Sequence, residues 1–291
     1  MEHQSPAIAV LGATGKVGSQ IVKELLKSGI TPKALSRQPV NVETPASVHW
    51  VQGDIDKVPD MEMFLQGTQQ LFLNSGVSSQ MAEQQCRVID IARQTGVRHI
   101  VKLSTPEAGI ASPSRTGQWH WEIEEYLRNS GLTWNALRPQ SFMHNWLLTL
   151  APGIRAERRL YSAAADGKKA FIDTRDIARV VVRLFTHPGA WINTTIPLSG
   201  GALIGFADIA AAFSRALREP VTYISQSADE ATERMRRQGM PEFLIHITLA
   251  GEAAQAQGAA EKFLNDNVEK ITATRPVSVD QFALDYVEYF R

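Results

Sequence analysis

The sequence predicts an α/β protein built on a doubly wound parallel sheet, followed by a smaller and mostly helical C-terminal lobe. Two observations carry that expectation. Over the first 150 residues, apolar runs of strand length alternate with segments whose apolar residues recur at helical spacing. The first such pair is joined by the glycine-rich turn Gly12-Ala13-Thr14-Gly15-Lys16-Val17-Gly18. Repeated strand–helix alternation requires crossover connections, which are right-handed and lay the strands parallel.

Each element follows in order. Ala7 to Leu11 is an apolar run of strand length, and Val17, Ile21, Val22, Leu25 and Leu26 mark a helix that Ser28-Gly29 ends. Thr31 to Arg37 reads as a second strand, Val48 to Asp54 as a third and Gln70 to Gly76 as a fourth. A helix from about Ser79 to Thr95 turns Val88, Ile89 and Ala92 inward. His99 to Thr105 is a fifth strand, and Lys102 within it is expected to carry its ammonium out to a sheet end, since burial would be costly. A helix from about Gln118 to Asn129 stops at Ser130-Gly131, and Thr133 to Leu137 make a sixth strand closed by Pro139. Residues 1–150 are therefore expected to form one domain and 151–291 a substrate-side lobe. A segment near 171–199 is expected to return to the first domain, with a helix at Asp176 to Phe185 and a strand at Thr194 to Leu198. Ser227 with Glu230, and Ser278 with Gln281, have capping-box spacing, the second before a final helix that buries Phe282, Tyr286 and Phe290.

Composition narrows the function class. Thirty basic and thirty acidic residues cancel, so no global field favours nucleic acid or an anionic membrane. Cys86 is the one cysteine of the 291 residues, which excludes a disulfide framework and a cysteine-rich zinc site. No apolar run has transmembrane length and the amino terminus starts polar, so a cytoplasmic protein acting on a small molecule is expected. No metal-ligand spacing and no G-x-S-x-G nucleophile elbow occur.

The glycine turn is the most specific signal. A strand, a tight turn and a helix amino terminus together form the opening of a dinucleotide-binding unit, in which a pyrophosphate meets unpaired N–H groups and the positive dipole end. Val17 follows Gly15-Lys16 where a P-loop needs Ser or Thr, so a magnesium–ATP site fails there. NAD sites place an Asp or Glu at the end of the second strand; here Ser36-Arg37 stand instead. A planar guanidinium suits a 2′-phosphate, so the expected cofactor is NADP(H).

These residues resemble a family, the NmrA-like group of atypical short-chain dehydrogenase/reductases. Gly12 to Gly18, the Ser36-Arg37 strand end, Val51-Gln52-Gly53-Asp54 and the block from Trp119 through Asn145 carry the match. The resemblance covers roughly the first 150 residues, continues from Phe171 to Ala178 and is thin beyond 200. It implies a Rossmann-type NAD(P)-binding oxidoreductase with Gly12, Thr14, Gly15, Lys16, Val17 and Gly18 at the pyrophosphate and Ser36 and Arg37 at the 2′-phosphate. It places Asp54 toward the adenine, Asn74, Ser75 and Gly76 toward the ribose, and Ser104, Thr105, Pro139 and Phe142 around the nicotinamide.

One departure bears on mechanism. Members of the wider superfamily use a Tyr four residues before a Lys as the proton donor, and no Tyr-x-x-x-Lys occurs here. Alignment puts His120 at the lysine place and Thr116 at the tyrosine place, so His120 is the candidate catalytic residue. Trp119 and Trp146, with Phe142, are candidates for an aromatic substrate wall, and ordinary core is the competing reading for them. His144 reads as pocket wall or plain structure. Two functions stand: NADPH-dependent hydride transfer to a small electrophilic acceptor (a quinone, enone, imine or dye cation), or a non-catalytic NADP(H) redox sensor.

Overall fold

The computed structural model describes residues 7–39, 47–187 and 189–291. The chain divides into two compact units. One consists of Met1–Pro139, Thr174–Leu198 and Lys270–Ala273, the other of Gln140–Asp173, Ser199–Glu269 and Thr274–Arg291.

The first unit runs through β1 (Ile8–Val10), α1 (Gly18–Lys27), β2 (Lys33–Ser36), β3 (His49–Gln52), α2 (Val58–Leu65), β4 (Gln70–Leu73), α3 (Met81–Gln94), β5 (His99–Leu103), α4 (Arg115–Arg128) and β6 (Thr133–Pro139). The chain then makes α5 (Trp146–Thr149), α6 (Ala151–Glu157) and β7 (Arg159–Ser162) of the second unit. It returns with α7 (Thr174–Thr186) and β8 (Thr194–Leu198). The resulting sheet has seven strands in the order β3-β2-β1-β4-β5-β6-β8, every pairing parallel. Strand order reverses beside β1, which pairs with β2 on one side and β4 on the other. A parallel sheet of this kind is buried on both faces, so its central strands are continuous apolar runs rather than alternating ones. One face packs Ala9, Leu71, Ile100 and Ala136 against Phe64, Val88, Ile89, Ile123 and Leu127 of α2, α3 and α4. Helices α1 and α7 pack against each other, both strongly amphipathic, with Ile21, Leu25, Ile177 and Val181 buried.

The second unit continues with α8 (Phe206–Leu217), β9 (Thr222–Ser225), α9 (Ala228–Arg237) and α10 (Glu242–Ala256). After α11 (Asn267–Thr272), α12 (Val279–Asp285) closes the regular structure. Its core is aromatic: Trp146, Phe171, Phe206, Phe213, Phe282 and Phe290 cluster together. Strands β7 and β9 pair in parallel as a separate two-stranded sheet that the sequence did not reveal. The reason is local: β9 has four half-buried or exposed residues and therefore no apolar alternation.

Other differences are equally local. Helix α4 begins at Arg115, three residues before the expected start, because the Ser114 hydroxyl accepts a hydrogen bond from Gly117 N and supplies the N-cap. The Ser227–Glu230 capping box is reciprocal, with Glu230 N on Ser227 Oγ at 3.2 Å and Ser227 N on Glu230 Oε2 at 2.7 Å. At Ser278 only half the box forms: Gln281 N donates to Ser278 Oγ, but the Gln281 amide turns to Asp285 Oδ1 at 2.7 Å. Phe282 and Phe290 are buried as expected, whereas Tyr286 is half-buried. Among the described residues no helix is long and apolar enough to cross a membrane.

Candidate active site

In a parallel sheet all strands end on one edge, and the ligand crevice of such sheets lies there, at the point where strand order reverses. Every cofactor residue expected in the first unit stands on that edge. Across the sheet come Asp54 beyond β3, Ser36 and Arg37 at the end of β2, the glycine turn after β1, Asn74 to Gly76 after β4, Ser104 and Thr105 after β5, and Pro139 closing β6. The positions are separated by up to 127 residues in sequence, and only parallel pairing gathers them.

The turn is shaped for a close-approaching group. Gly15 N donates to Gly12 O at 3.0 Å and Ser19 N to Gly15 O at 3.0 Å, so the turn winds directly into α1. A Cβ on Gly18 would collide with the Gly12 carbonyl oxygen, so only glycine lets the helix start this close to the strand. Val17 provides no side-chain cap and the first turn of α1 holds no acidic residue. Its amino-terminal N–H groups thus meet no carboxylate of their own turn, a setting suited to a phosphate. Thr14, Gly15 and Lys16 are exposed on the turn, while Val17 and Gly18 are buried beneath it. Arg37 is exposed, and the Ser36 hydroxyl donates to Gln38 O at 2.7 Å. Asp54 accepts from Asp56 N at 3.1 Å, while its own N–H donates to Asp60 Oδ2 at 2.9 Å. Ser75 Oγ accepts from the Gln85 amide at 2.9 Å. These residues fit a dinucleotide phosphate.

At the β5–β6 end the interior turns polar. Lys102 does not reach out of the sheet, contrary to expectation; it is fully buried. Its Nζ donates to Leu103 O at 2.9 Å and lies 2.8 Å from His120 Nδ1, on the inner face of α4. Burial outweighs the neighbouring Glu124 carboxylate and the Cys86 thiol, and brings the Lys102 pKa down to about 7. Burial and the two cations Lys102 and Arg138 hold His120 neutral, with a pKa of about 2. While Lys102 is an ammonium it has no lone pair, so His120 Nδ1 is then the acceptor and the proton of the neutral ring sits on Nε2. No hydrogen bond occupies that Nε2 among the described residues, and it is absent from their buried atoms lacking a partner.

One turn further along α4, Glu124 is buried and takes Arg138 in a fork, Nε to Oε1 at 3.0 Å and Nη2 to Oε2 at 2.6 Å. Ser104 Oγ donates to the same carboxylate. The Ser104 hydroxyl is therefore committed inside the protein, while its neighbour Thr105 is half-buried at the edge. Sequence reasoning missed Lys102, Glu124 and Arg138 as a group. The signal was present: a lysine flanked by Ile100, Val101 and Leu103 in a buried strand, and His120 and Glu124 four apart on one helix face.

The aromatic candidates are divided between the two units, Trp119 in the first and Phe142 and Trp146 in the second. Trp119, on α4, is half-buried; it packs against the core of the first unit and lines a surface groove of about 610 Å³ with Ile110, Arg115, Trp121 and Tyr126. Trp146 lies in the second unit, 3% exposed, with its ring edge against Phe171 and Phe282, which is the packing of a core residue. Phe142, also in the second unit, is half-buried and bridges to Ile172. His144 there is buried, with Nε2 2.7 Å from the Tyr286 hydroxyl, a structural position.

The profile of a family described as NAD(P)H-binding matches residues 12–188. The chain is 32% identical to an NAD(P)H azoreductase of Xenophilus azovorans over 81% of its length and 83% of that protein. Among solved structures, an NADPH-dependent quinone oxidoreductase complexed with NADPH from Escherichia coli superposes with a TM-score of 0.82 at 24% identity, covering 96% of this chain and 99% of that one. A Citrobacter sp. triphenylmethane reductase complexed with NADP(H) does so with a TM-score of 0.81 at 23% identity, with the same coverage. At these identities the two structures establish the shared fold.

Proposed function

The chain belongs to the NAD(P)H-binding family, and on that premise we propose that it reduces a small, flat, electrophilic acceptor (a quinone, enone, imine or dye cation) at the expense of NADPH. The observation that supports this most directly is the row of strand ends just described, with the Gly18 cradle at one point and a buried lysine–histidine pair at another. Bound NADPH supplies a hydride from its nicotinamide. The protein supplies placement. Gly12, Thr14, Gly15, Lys16, Val17 and Gly18 receive the pyrophosphate on backbone N–H groups, and Arg37 with Ser36 holds the 2′-phosphate. Asp54 lies toward the adenine, Asn74, Ser75 and Gly76 toward the ribose, and Thr105 and Pro139 border the nicotinamide. His120 faces the acceptor. The reading includes a cytoplasmic location, which the absence of paired cysteines supports.

The test is NADPH oxidation, followed by absorbance, against a panel of quinones, enones, imines and cationic dyes, with NADH and the Arg37→Ala protein alongside. Turnover with NADPH that weakens sharply in the variant is the expected result. Tight NADPH binding without turnover on any acceptor would make the protein a redox sensor instead.

A further inference from the structure

We propose that Lys102 and His120 form a two-residue proton relay that completes the reduction. His120 Nε2–H protonates the heteroatom of the acceptor while Lys102 Nζ–H returns a proton to His120 Nδ1. This rests on the reductase reading above and names the proton source that the missing Tyr-x-x-x-Lys leaves open.

The geometry supports a relay rather than a passive contact. Lys102 Nζ lies 2.8 Å from Nδ1, within hydrogen-bond reach, and the histidine's other nitrogen is not taken up by any described residue. His120 is in the second turn of α4, whose amino end lies at the strand-end edge of the sheet, because a crossover helix runs back against its strands. His120 thus sits near the edge that carries the cofactor residues, with its Nδ1 on the buried lysine. His120 resists the imidazolium form, so the two proton movements are coupled: one nitrogen gains a proton as the other gives one up. The acceptor gains a hydride and a proton, two electrons in all. Lys102 is left as a neutral amine and takes a proton from water after the product departs.

The groups facing Lys102 set its pH range. Glu124 on α4 and Cys86 on α3 favour the ammonium, Arg138 on β6 opposes it, and burial opposes it most. The proton is available below pH ~7 and is lost as the pH rises through that value.

The acceptors divide into two kinds, and that makes the relay separable. A quinone or a neutral imine needs a hydride and a proton, whereas a triarylmethyl dye cation is neutralised by the hydride alone. In Lys102→Met and His120→Gln, the ratio of quinone to dye-cation turnover should fall about a hundredfold, in line with the worth of a positioned general acid. The alkaline decline of quinone turnover near pH 7 should also vanish in Lys102→Met. Equal losses on both acceptors would overturn the relay while leaving the reductase reading intact. A wild-type protein that turned over neither acceptor would overturn both.

A readout independent of turnover is the ¹⁵N spectrum of labelled histidine side chains from pH 5 to 9, with His120 assigned by the His120→Gln variant. The expected spectrum shows a neutral His120 with Nδ1 as acceptor, responding to Lys102 near pH ~7, a response absent in Lys102→Met. A His120 that titrates with the ordinary midpoint near 6.5, or that ignores Lys102→Met, would overturn the pair itself.

Discussion

Two buried regions of this protein are built from opposite materials. At the end of β5 and β6, the first unit buries Lys102, His120 and Glu124, with Arg138 reaching in from β6. The second unit fills its core mainly with rings, Trp146, Phe171, Phe206, Phe213, Phe282 and Phe290, several meeting edge to face. Aromatic packing is tolerant, because dispersion and area burial are lost by degrees. A buried charge cluster is not tolerant. Glu124 is shared by Arg138 and Ser104, and removing it leaves both without an acceptor away from water. A protein has no stability reason to choose the second material, since well-packed apolar residues serve as well or better. The charges lie where protons are proposed to move.

The largest expected effect tests that intolerance. Glu124→Ala leaves Arg138 and Ser104 without their common acceptor and should cost about 3–5 kcal/mol, read from the midpoint of urea unfolding. A loss under about 1 kcal/mol would mean the cluster is as forgiving as the rings. Next comes a steric test in the aromatic unit. A Cβ on Gly200 would collide with the Phe171 carbonyl oxygen, so Gly200→Ala should cost about 1–3 kcal/mol even though no charge is involved. A neutral result would show that this backbone gives way.

Arg37→Ala tests an exposed charge against the buried ones. It should weaken NADPH binding about 10- to 100-fold and NADH binding little, with unfolding unchanged, as measured by fluorescence titration. Equal dissociation constants for the two cofactors in the wild type would sink the 2′-phosphate assignment.

The smallest effect on stability, and the sharpest on the comparison, is Lys102→Met. Its folded pKa is depressed to about 7 from 10.5. Between those values the unfolded chain binds a proton that the folded chain has released, so this group makes stability rise with pH across that window. Below pH ~7 both forms are protonated and the burial cost is at its full value. Lys102→Met should therefore be as stable as wild type or more so near neutrality, with the advantage shrinking toward alkaline pH. Lower stability at pH 7 would mean the lysine is there to hold the fold together.

Reading the sequence picked out the glycine turn and the strand-end candidates and left the Lys102–His120 contact unread, for a physical reason. Gly12 to Gly18, Ser36-Arg37 and Asp54 announce themselves through short-range constraints: a turn that needs glycine, a strand end that lacks an acid. Lys102 was visible as an anomaly, but the expectation sent it outward, because the partner that makes its burial tolerable is 18 residues away on another element. Trp119 and Trp146 are alike as residues, yet one is half-buried where a core meets a surface groove and the other is buried within a core.

The sequence by itself determined the α/β class, the parallel sheet and the dinucleotide turn, and with them membership of the family. Those depend on periodicity and turn chemistry, which operate over a few residues. Only the tertiary structure decided which strand ends stand side by side, that β7 and β9 pair, and that Lys102 meets His120. Such contacts join distant segments, and their energies depend on a burial that no local pattern encodes.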